Sequence, residues 1–272
     1  MSRRIALVAG QGALPRHLVE ALARSGEVPV VAALDGFAPE GLPVDITFRI
    51  ERLVPLLREL EERGVGRVAF AGRVSRPRLD PALFDAATAQ LVPRLIGAMQ
   101  GGDDATLRVV IGLFEEAGFE VVGVADIAPD LVPPEGLVAG TPSEADRRDV
   151  ERAARIVAAL GAVDVGQGAV VAQGLCLAVE ALPGTDAMLD WVAATAARPD
   201  PAGARGVFYK APKPGQDRRI DLPTLGPETL RRAAAAGLAG IAWEAGGVIL
   251  LDPAAMVALA RAAGLFLWAR QP

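Results

Sequence analysis

Ile5-Ala6-Leu7-Val8-Ala9, an unbroken apolar run near the start of the chain, is followed directly by the turn Gly10-Gln11-Gly12. An apolar run of this length predicts a strand buried on both faces, as the strands of a parallel sheet are. Strand and helix patterns then alternate: helices are predicted over residues 15–25, 52–63, 81–99 and 104–117, and strands over 28–33, 67–71 and 120–124. This alternation predicts an α/β fold whose N-terminal domain is a Rossmann-like, doubly wound parallel sheet.

The second half of the chain predicts another α/β domain. Residues 129–142 are rich in proline and glycine and are predicted to be a linker, which places the two domains at residues 1–132 and 143–272. Gln173-Gly174, between two apolar runs, predicts a hairpin turn. The other predicted elements are helices over 143–160, after Gly184, and over 227–236 and 253–263, and strands over 168–172, 175–180, 207–210, 240–242, 248–251 and 266–269.

Composition limits the function classes. Apolar residues make up 51% of the 272 residues and the net charge is −5, which argues against nucleic-acid binding because that usually needs a basic face. The single Cys176 excludes an intramolecular disulfide, fits a reducing compartment and is predicted to be a small core residue. No run approaches the roughly 18 apolar residues that span a membrane, and Gly10 ends the first run too early for a signal peptide. We therefore expect a cytoplasmic protein.

Asp186, Lys213, Asp217 and Asp221 lie in two short polar clusters, Gly184-Thr185-Asp186 and the run from Lys213 to Asp221. The chain holds only one histidine and one cysteine. Carboxylates and cations without imidazole or thiol suit phosphate and a hard ion such as Mg2+. They do not suit zinc chemistry, a Ser-His-Asp triad or a thiolate nucleophile. Pro212, Pro214 and Gly215 stiffen the loop that carries the run from Lys213 to Asp221, which favours a functional loop over a solvated surface loop.

Two glycine turns follow predicted strands of the first domain. The backbone amides of Gly10, Gln11 and Gly12 can cradle a phosphate, although Pro15 replaces the third glycine of a dinucleotide motif and a merely tight turn is the alternative. Gly72 precedes Arg73, which can bind a phosphate, as can Arg76, unless each is an ordinary surface arginine.

Three further groups have a structural alternative. Asp103 and Asp104 either cap a helix or face the same crevice. Thr185 and Asp186 either cap the next helix or belong to the site. Glu244 lies either in a hairpin turn or at the crevice.

Six motifs run in order along essentially the whole chain: residues 9–15, 71–77, 102–105, 164–167, Glu180 with 184–188, and 213–223 through 244–246. Together they resemble the LpxI-type UDP-2,3-diacylglucosamine pyrophosphatases of lipid A biosynthesis. The resemblance implies two domains with a ligand cleft between them, and a Mg2+-dependent hydrolysis that yields UMP and 2,3-diacylglucosamine 1-phosphate (lipid X). It also implies that water attacks the β-phosphorus and that substitution of Asp221 abolishes turnover.

The candidate site follows from the motifs and the resemblance together. The predicted catalytic residues are Asp221, Asp217, Lys213 and Asp186, and the predicted Mg2+ ligands are Asp221 and Asp186. The predicted substrate-binding residues are Gly10, Gln11, Gly12, Gly72, Arg73, Asp104, Gln167, Thr185, Gln216 and Glu244. The expected partners are UDP-2,3-diacylglucosamine and lipid X, with a homodimer and transient contact with the inner membrane left open.

Two other functions stay open on the sequence. A Rossmann-type enzyme that binds NAD or a nucleotide sugar would use the first glycine turn, with Asp35 as the ribose-binding acid. A carrier would bind the lipid or nucleotide sugar without turnover.

Overall fold

The computed structural model of the chain describes residues 4–75, 78–100 and 103–272, and for Gln100, Asp103 and Asp104 it describes the backbone alone. Contacts divide these residues into two compact units. Unit 1 runs to Pro129 and also includes Asp217–Asp221, whereas unit 2 comprises Asp130–Gln216 and Leu222–Pro272. The chain therefore passes from one unit to the other three times, while the sequence predicted a single crossing.

Unit 1 is built on a five-stranded sheet of order β3-β2-β1-β4-β5 in which every pair of neighbouring strands is parallel. This confirms the Rossmann-like, doubly wound prediction. The strands are β1 (Arg4–Ala9), β2 (Val30–Leu34), β3 (Ile46–Phe48), β4 (Val65–Ala71) and β5 (Glu120–Val122). The helices are α1 (Leu14–Arg24), α2 (Leu53–Glu62), α3 (Ala86–Ala89), α4 (Val92–Gln100), α5 (Asp103–Glu116) and α6 (Val124–Ile127), with 3-10 turns at Ile50–Arg52 and Pro81–Leu83. A third 3-10 turn, Pro129–Leu131, spans the boundary to unit 2.

The helix predicted over residues 81–99 is three separate pieces in the structure. Asp80 accepts a hydrogen bond from the amide of Ala82 and so caps the first turn. Asp85 accepts hydrogen bonds from the amides of Ala87 and Thr88, which makes it the N-cap of α3. Capping aspartates inside an apolar pattern start new helices, and the periodicity alone did not reveal these breaks.

Unit 2 contains a six-stranded mixed sheet of order β6-β13-β11-β9-β7-β8, with β9, β11 and β13 parallel to one another. Its strands are β6 (Gly136–Ala139), β7 (Gly168–Ala172), β8 (Leu175–Val179), β9 (Val207–Lys210), β11 (Gly240–Glu244) and β13 (Phe266–Arg270), and β10 (Thr224–Leu225) pairs separately with β12 (Ile249–Leu250). The helices are α7 (Glu144–Ala162), α8 (Gly184–Thr195), α9 (Pro227–Ala235) and α10 (Pro253–Ala263).

Part of the predicted linker is a strand of this sheet. Residues 136–139 form β6, which pairs antiparallel with β13 at the opposite end of the unit's sequence. A four-residue strand flanked by Gly136 and Gly140 has little periodicity of its own, so only its distant partner identifies it. The linker prediction is wrong for these residues.

The predicted hairpin at Gln173-Gly174 is confirmed, and a buried carboxylate stabilises it. Asp149 on α7, which is 2% exposed, accepts hydrogen bonds from the amides of Gln173 (2.8 Å) and Gly174 (2.7 Å). The hairpin brings β8 to the end of the sheet, where Cys176 is exposed. The prediction of Cys176 as a core residue is wrong, because an apolar strand at the end of a sheet leaves part of its surface uncovered.

Each unit has its own hydrophobic core. In unit 1, strands β1, β2, β4 and β5 bury apolar side chains together with α2, α5 and Ile220. In unit 2, helices α8, α9 and α10 cover one face of the sheet and α7 packs on β7 and β9. Within the described ranges, no helix is long and apolar enough to span a membrane.

Candidate functional site

The carboxyl edge of the unit 1 sheet is formed by two loops whose backbones touch. Gly10 donates its amide to the carbonyl of Ala71 (2.7 Å), and Gln11 and Arg73 exchange hydrogen bonds of 2.9 and 2.8 Å. A Cβ at Gly10 would lie 2.7 Å from the Arg73 carbonyl oxygen, and one at Gly72 would lie 2.6 Å from the Gly10 oxygen. Gly72 also has a φ of +94°. Both glycines are needed for this close approach.

This contact limits how the first turn can bind a phosphate. The amides of Gly10 and Gln11 are already engaged, so they are not donors to a ligand in this conformation. Among the described residues, the amides of Gly12 and Ala13 have no hydrogen-bond partner, and they precede the first turn of α1. Gln11, Gly12, Gly72 and Arg73 are all exposed at this edge. The structure therefore places these predicted substrate-binding residues together, with fewer amides available than the motif suggested.

The segment Asp217–Asp221 belongs to this same unit. Ile220 is 5% exposed and lies in the core of unit 1. Gly123, the residue after β5, packs so closely that a Cβ there would lie 3.1 Å from the Cα of Arg219. Because β5 is parallel to β1 and β4, Gly123 lies at the carboxyl edge that also carries Gly10 and Gly72. The structure thus brings Asp217 and Asp221 to the edge where open α/β sheets bind ligands.

Arg219 holds this segment through two carboxylates. It donates to both oxygens of Asp217, at 3.0 Å and 2.7 Å, and to Glu115 on α5 at 2.6 Å. The bond from Arg219 is the largest of the influences that lower the pKa of Asp217, and hydrogen bonds to Asp217 and Glu115 raise the pKa of Arg219. Asp217 is therefore ionised and engaged at neutral pH.

Asp221 ends the segment in a left-handed conformation, with φ of +58°. Its side chain is exposed. Aspartate tolerates this conformation better than most residues, yet it persists only where the surroundings fix it. Non-glycine residues with such a backbone gather at functional sites, which supports the choice of Asp221 as a site residue.

The carboxyl edge of the unit 2 sheet is made of side chains instead. Lys210, at the end of β9, is 5% exposed and its ammonium lies 3.2 Å from a carboxylate oxygen of Glu180. Lys210 also donates to the hydroxyl of Thr185, which in turn donates to Glu180 at 2.9 Å. We call these three residues the Lys210 cluster. Thr185 thus belongs to the Lys210 cluster and does not cap α8, whose N-cap is Pro183.

Sequence reasoning missed Lys210 as a site residue. A signal was present, because Lys210 is a cation that directly ends an apolar strand, and such strand ends carry ligand sites in α/β sheets. Two glycines near Lys210, Gly166 and Gly168, belong to the same arrangement because they pack against its partner Glu180. A Cβ at Gly166 would lie 2.0 Å from the Glu180 carbonyl oxygen, and one at Gly168 would lie 2.6 Å from its carboxylate. The glycines of residues 164–168 therefore leave the space that Glu180 occupies.

A second polar group lies on the loops of the same edge. Gln167 donates to the side-chain oxygen of Gln216 (2.8 Å), which also accepts the backbone amide of Lys213 (2.9 Å). The ammonium of Lys213 pairs with Asp164, whose φ is +57°. The structure therefore brings together three predicted site residues, Gln167, Lys213 and Gln216, in one unit.

Asp186 and Glu244 are the remaining predicted residues of unit 2. Asp186 lies in the first turn of α8, its side chain is 58% exposed, and its carboxylate is 3.6 Å from Arg232, which also pairs with Asp190 and Glu228. Glu244 ends β11, whose neighbours in the sheet are β9 and β13, so the hairpin alternative is wrong and the crevice stays a prediction. Asp104 lies in the first turn of α5, and its side chain lies outside the described part, as does Arg76.

The two predicted metal ligands belong to different units, Asp221 to unit 1 and Asp186 to unit 2. Within the part of the chain that the structure describes, no three His, Cys, Asp or Glu side chains are grouped so that they could hold a metal ion. A pre-formed cage of protein ligands is therefore not a feature of these residues. Mg2+ typically needs only one or two carboxylates, with substrate phosphates and water as its other ligands.

Sequence comparison gives an independent assignment. The profile of the LpxI N-terminal domain matches residues 4–131, and that of the LpxI C-terminal domain matches residues 134–268. The chain is also 40% identical over 277 aligned positions to the UDP-2,3-diacylglucosamine pyrophosphatase LpxI of Caulobacter vibrioides, covering 99% of this chain and 98% of the relative. With a two-domain α/β architecture and similarity along its whole length, the chain belongs to the LpxI family.

Proposed function

We propose that this protein hydrolyses the pyrophosphate of UDP-2,3-diacylglucosamine, giving UMP and 2,3-diacylglucosamine 1-phosphate for lipid A biosynthesis. The observation that carries the proposal is the 40% identity, over 99% of this chain, to a UDP-2,3-diacylglucosamine pyrophosphatase. Similarity over both domains favours the same reaction because the described site residues come from both halves of the sequence.

The chemistry of the two sheet edges suits a pyrophosphate substrate. Hydrolysis of a pyrophosphate needs neutralisation of charge and a positioned water more than covalent help from the protein. Taken separately, each edge carries a cation on a loop, Lys213 in unit 2 and the exposed Arg73 in unit 1. The ammonium of Lys213 is already paired with Asp164, whose side chain is 50% exposed, so a phosphate could replace this partner at low cost.

Asp221 is the residue proposed to act on the reacting atoms. Its carboxylate is exposed at the carboxyl edge of unit 1, on a backbone that the protein fixes in a left-handed conformation. A carboxylate held in this way would orient the attacking water, or a Mg2+ ion that activates it. Attack at the β-phosphorus would leave UMP as the departing group.

Mg2+ is proposed as the cofactor, with Asp221 as its protein ligand and the phosphates of the substrate as further ligands. When bound, it would neutralise charge on the phosphoryl oxygens. This arrangement fits the absence of a three-residue metal group among the described residues. Asp186, the second predicted ligand, would have to exchange its ion pair with Arg232 for the metal.

Exposed apolar residues at the unit 2 edge offer contacts for the acyl chains or for a bilayer. Leu182, two residues after Glu180, is fully exposed, and Val163 and Val165 on either side of Asp164 are 68% and 45% exposed. Apolar side chains exposed beside a polar site are unfavourable in water, and an amphipathic ligand would cover them.

The test is an assay of the purified full chain with UDP-2,3-diacylglucosamine and Mg2+, with the products identified by mass spectrometry. We expect UMP and 2,3-diacylglucosamine 1-phosphate, and in oxygen-18 water we expect the label in the sugar phosphate. Label in UMP would place the attack at the α-phosphorus, and undiminished turnover after exhaustive chelation would remove Mg2+ from the account. Stoichiometric binding without UMP release would contradict hydrolysis and support a carrier.

A further inference from the structure

We propose that Arg219, together with Asp217 and Glu115, positions Asp221 for catalysis. This inference rests on the proposed function, because Asp221 is the catalytic group there. It assigns Asp217 to positioning in place of the catalytic role that the sequence predicted, and it adds Arg219 and Glu115, which were not among the predicted site residues.

A set of hydrogen bonds ties the segment Asp217–Asp221 to unit 1. The guanidinium of Arg219 lies between two carboxylates, with Nη2 2.7 Å from Asp217 and Nη1 2.6 Å from Glu115. The backbone amide of Arg219 also donates to Asp217 at 3.0 Å. Both oxygens of Asp217 are thus occupied by Arg219 itself. A carboxylate bound at both oxygens serves as an anchor and is poorly placed to receive a proton or a metal.

The second support is packing on either side of Arg219. Ile220 is 5% exposed in the unit 1 core, and the Cα of Arg219 lies against Gly123, where a Cβ would approach to 3.1 Å. The residues before and after the segment, Gln216 and Leu222, belong to unit 2. Only five consecutive residues therefore belong to unit 1 here. The Arg219 bonds, the burial of Ile220 and the packing against Gly123 are among the contacts that hold them.

The third support is the backbone of Asp221, two residues beyond Arg219. Its φ of +58° is a conformation that a non-glycine residue keeps only where the surroundings determine it. With Arg219 and Ile220 fixed, the chain enters Asp221 from a defined position and direction. Loss of the Glu115 bond would leave the local Asp217–Arg219 turn intact but would release it from α5, so that Asp221 would be less well placed for the reacting phosphorus.

Two neighbouring residues of α5 provide a matched test. Glu115 binds Arg219, whereas Glu116 makes a similar charged pair with Arg94, at 2.7 Å for both contacts. We expect Glu115→Gln to lower kcat by about tenfold and Arg219→Gln by about ten- to a hundredfold, with KM changed by less than about twofold, because misplacement of a catalytic group acts on the transition state. Glu116→Gln should leave both constants unchanged. Arg219→Lys, which keeps the charge but loses the planar fork, should fall between wild type and Arg219→Gln.

Hydrogen exchange of the peptide that covers residues 217–221 gives a readout that does not need turnover. We expect faster exchange in Glu115→Gln than in wild type or Glu116→Gln, with the thermal midpoint little changed. Wild-type kcat in both Glu115→Gln and Arg219→Gln would overturn the inference, as would a loss confined to KM. Should Arg219→Gln not fold, Glu115→Gln decides alone, since it removes only one exposed ion pair. If the wild type does not hydrolyse the substrate, the proposed function is wrong. If hydrogen exchange of residues 217–221 is unchanged in Glu115→Gln, the proposed anchoring by Glu115 is wrong, whatever the wild-type activity.

Discussion

The carboxyl edges of the two sheets differ in the groups that form them. In unit 1 the edge is mainly backbone, because Gly10 and Gly72 bring two loops into direct hydrogen-bonded contact. In unit 2 the edge is mainly ionisable side chains, with Lys210 buried against Glu180 and Thr185. A substitution that adds atoms should therefore destabilise the edge of unit 1, whereas one that removes a charge should destabilise the edge of unit 2.

The largest loss of stability is expected for Lys210→Met. This change leaves the carboxylate of Glu180, 13% exposed, without its cation, and breaking a buried pair in this way costs about 3 to 5 kcal/mol. Urea unfolding followed by circular dichroism measures it. Combining Lys210→Met with Glu180→Gln should restore part of the loss, and Arg16→Met in the exposed Arg16–Glu20 pair should change little. A Lys210→Met variant as stable as the wild type would contradict the claim that ionisable side chains stabilise the edge of unit 2.

Gly72→Ala should cost about 2 to 4 kcal/mol, because the new Cβ meets backbone and the residue has a positive φ. Gly36→Ala is the matched control, since Gly36 has a φ of +81° but no atom within 4 Å of the new Cβ. The Gly36→Ala control should lose only about 1 kcal/mol of stability, the cost of placing an alanine at a positive φ. Equal losses at the two positions in urea unfolding would show that close backbone contact does not matter at this edge.

Asp217→Asn is expected to have the smallest effect on stability, and one that depends on pH. Arg219 lowers the pKa of Asp217 in the folded protein below its ordinary value of 3.8. A lowered pKa contributes stability that is present above the unfolded pKa and is lost as the pH falls through the folded pKa. The pair is partly exposed, so solvent screens it and the contribution to the free energy of unfolding at neutral pH is about 1 kcal/mol.

Thermal midpoints of wild type and Asp217→Asn, measured from pH 7 down to pH 2.5, test this linkage. The difference between them should be constant at neutral pH and should shrink below about pH 4. A difference that grows as the pH falls would have the wrong sign for an ion pair with Arg219.

Local patterns predicted most of the fold, and distant contacts account for what they missed. The apolar run at Ile5–Ala9 specified a parallel strand, and Gln173-Gly174 specified a hairpin, because both depend on neighbouring residues. Strand Gly136–Ala139 is defined by its pairing with β13 more than a hundred residues later, which no local pattern contains.

The same distinction applies to the candidate site. The run Lys213–Asp221 was recognised as a functional loop, but its division between two units depends on the burial of Ile220 and the bond from Arg219 to Glu115, 104 residues away in sequence. Lys210 carried a local signal, its place at the end of an apolar strand, but its pairing with Glu180, 30 residues away, is visible only in the structure. The roles of Asp221, Lys213 and the glycine turns in substrate binding and catalysis remain predictions to be tested.

The most direct test of the central claim is a comparison of wild type and Asp221→Ala for UMP release and for retained ligand. We expect turnover to fall by at least about a hundredfold, the loss typical of a missing acid, base or electrostatic group. The variant should stay folded and should retain intact UDP-2,3-diacylglucosamine, detected by mass spectrometry, where the wild type retains product. Near wild-type UMP release by Asp221→Ala would contradict the account.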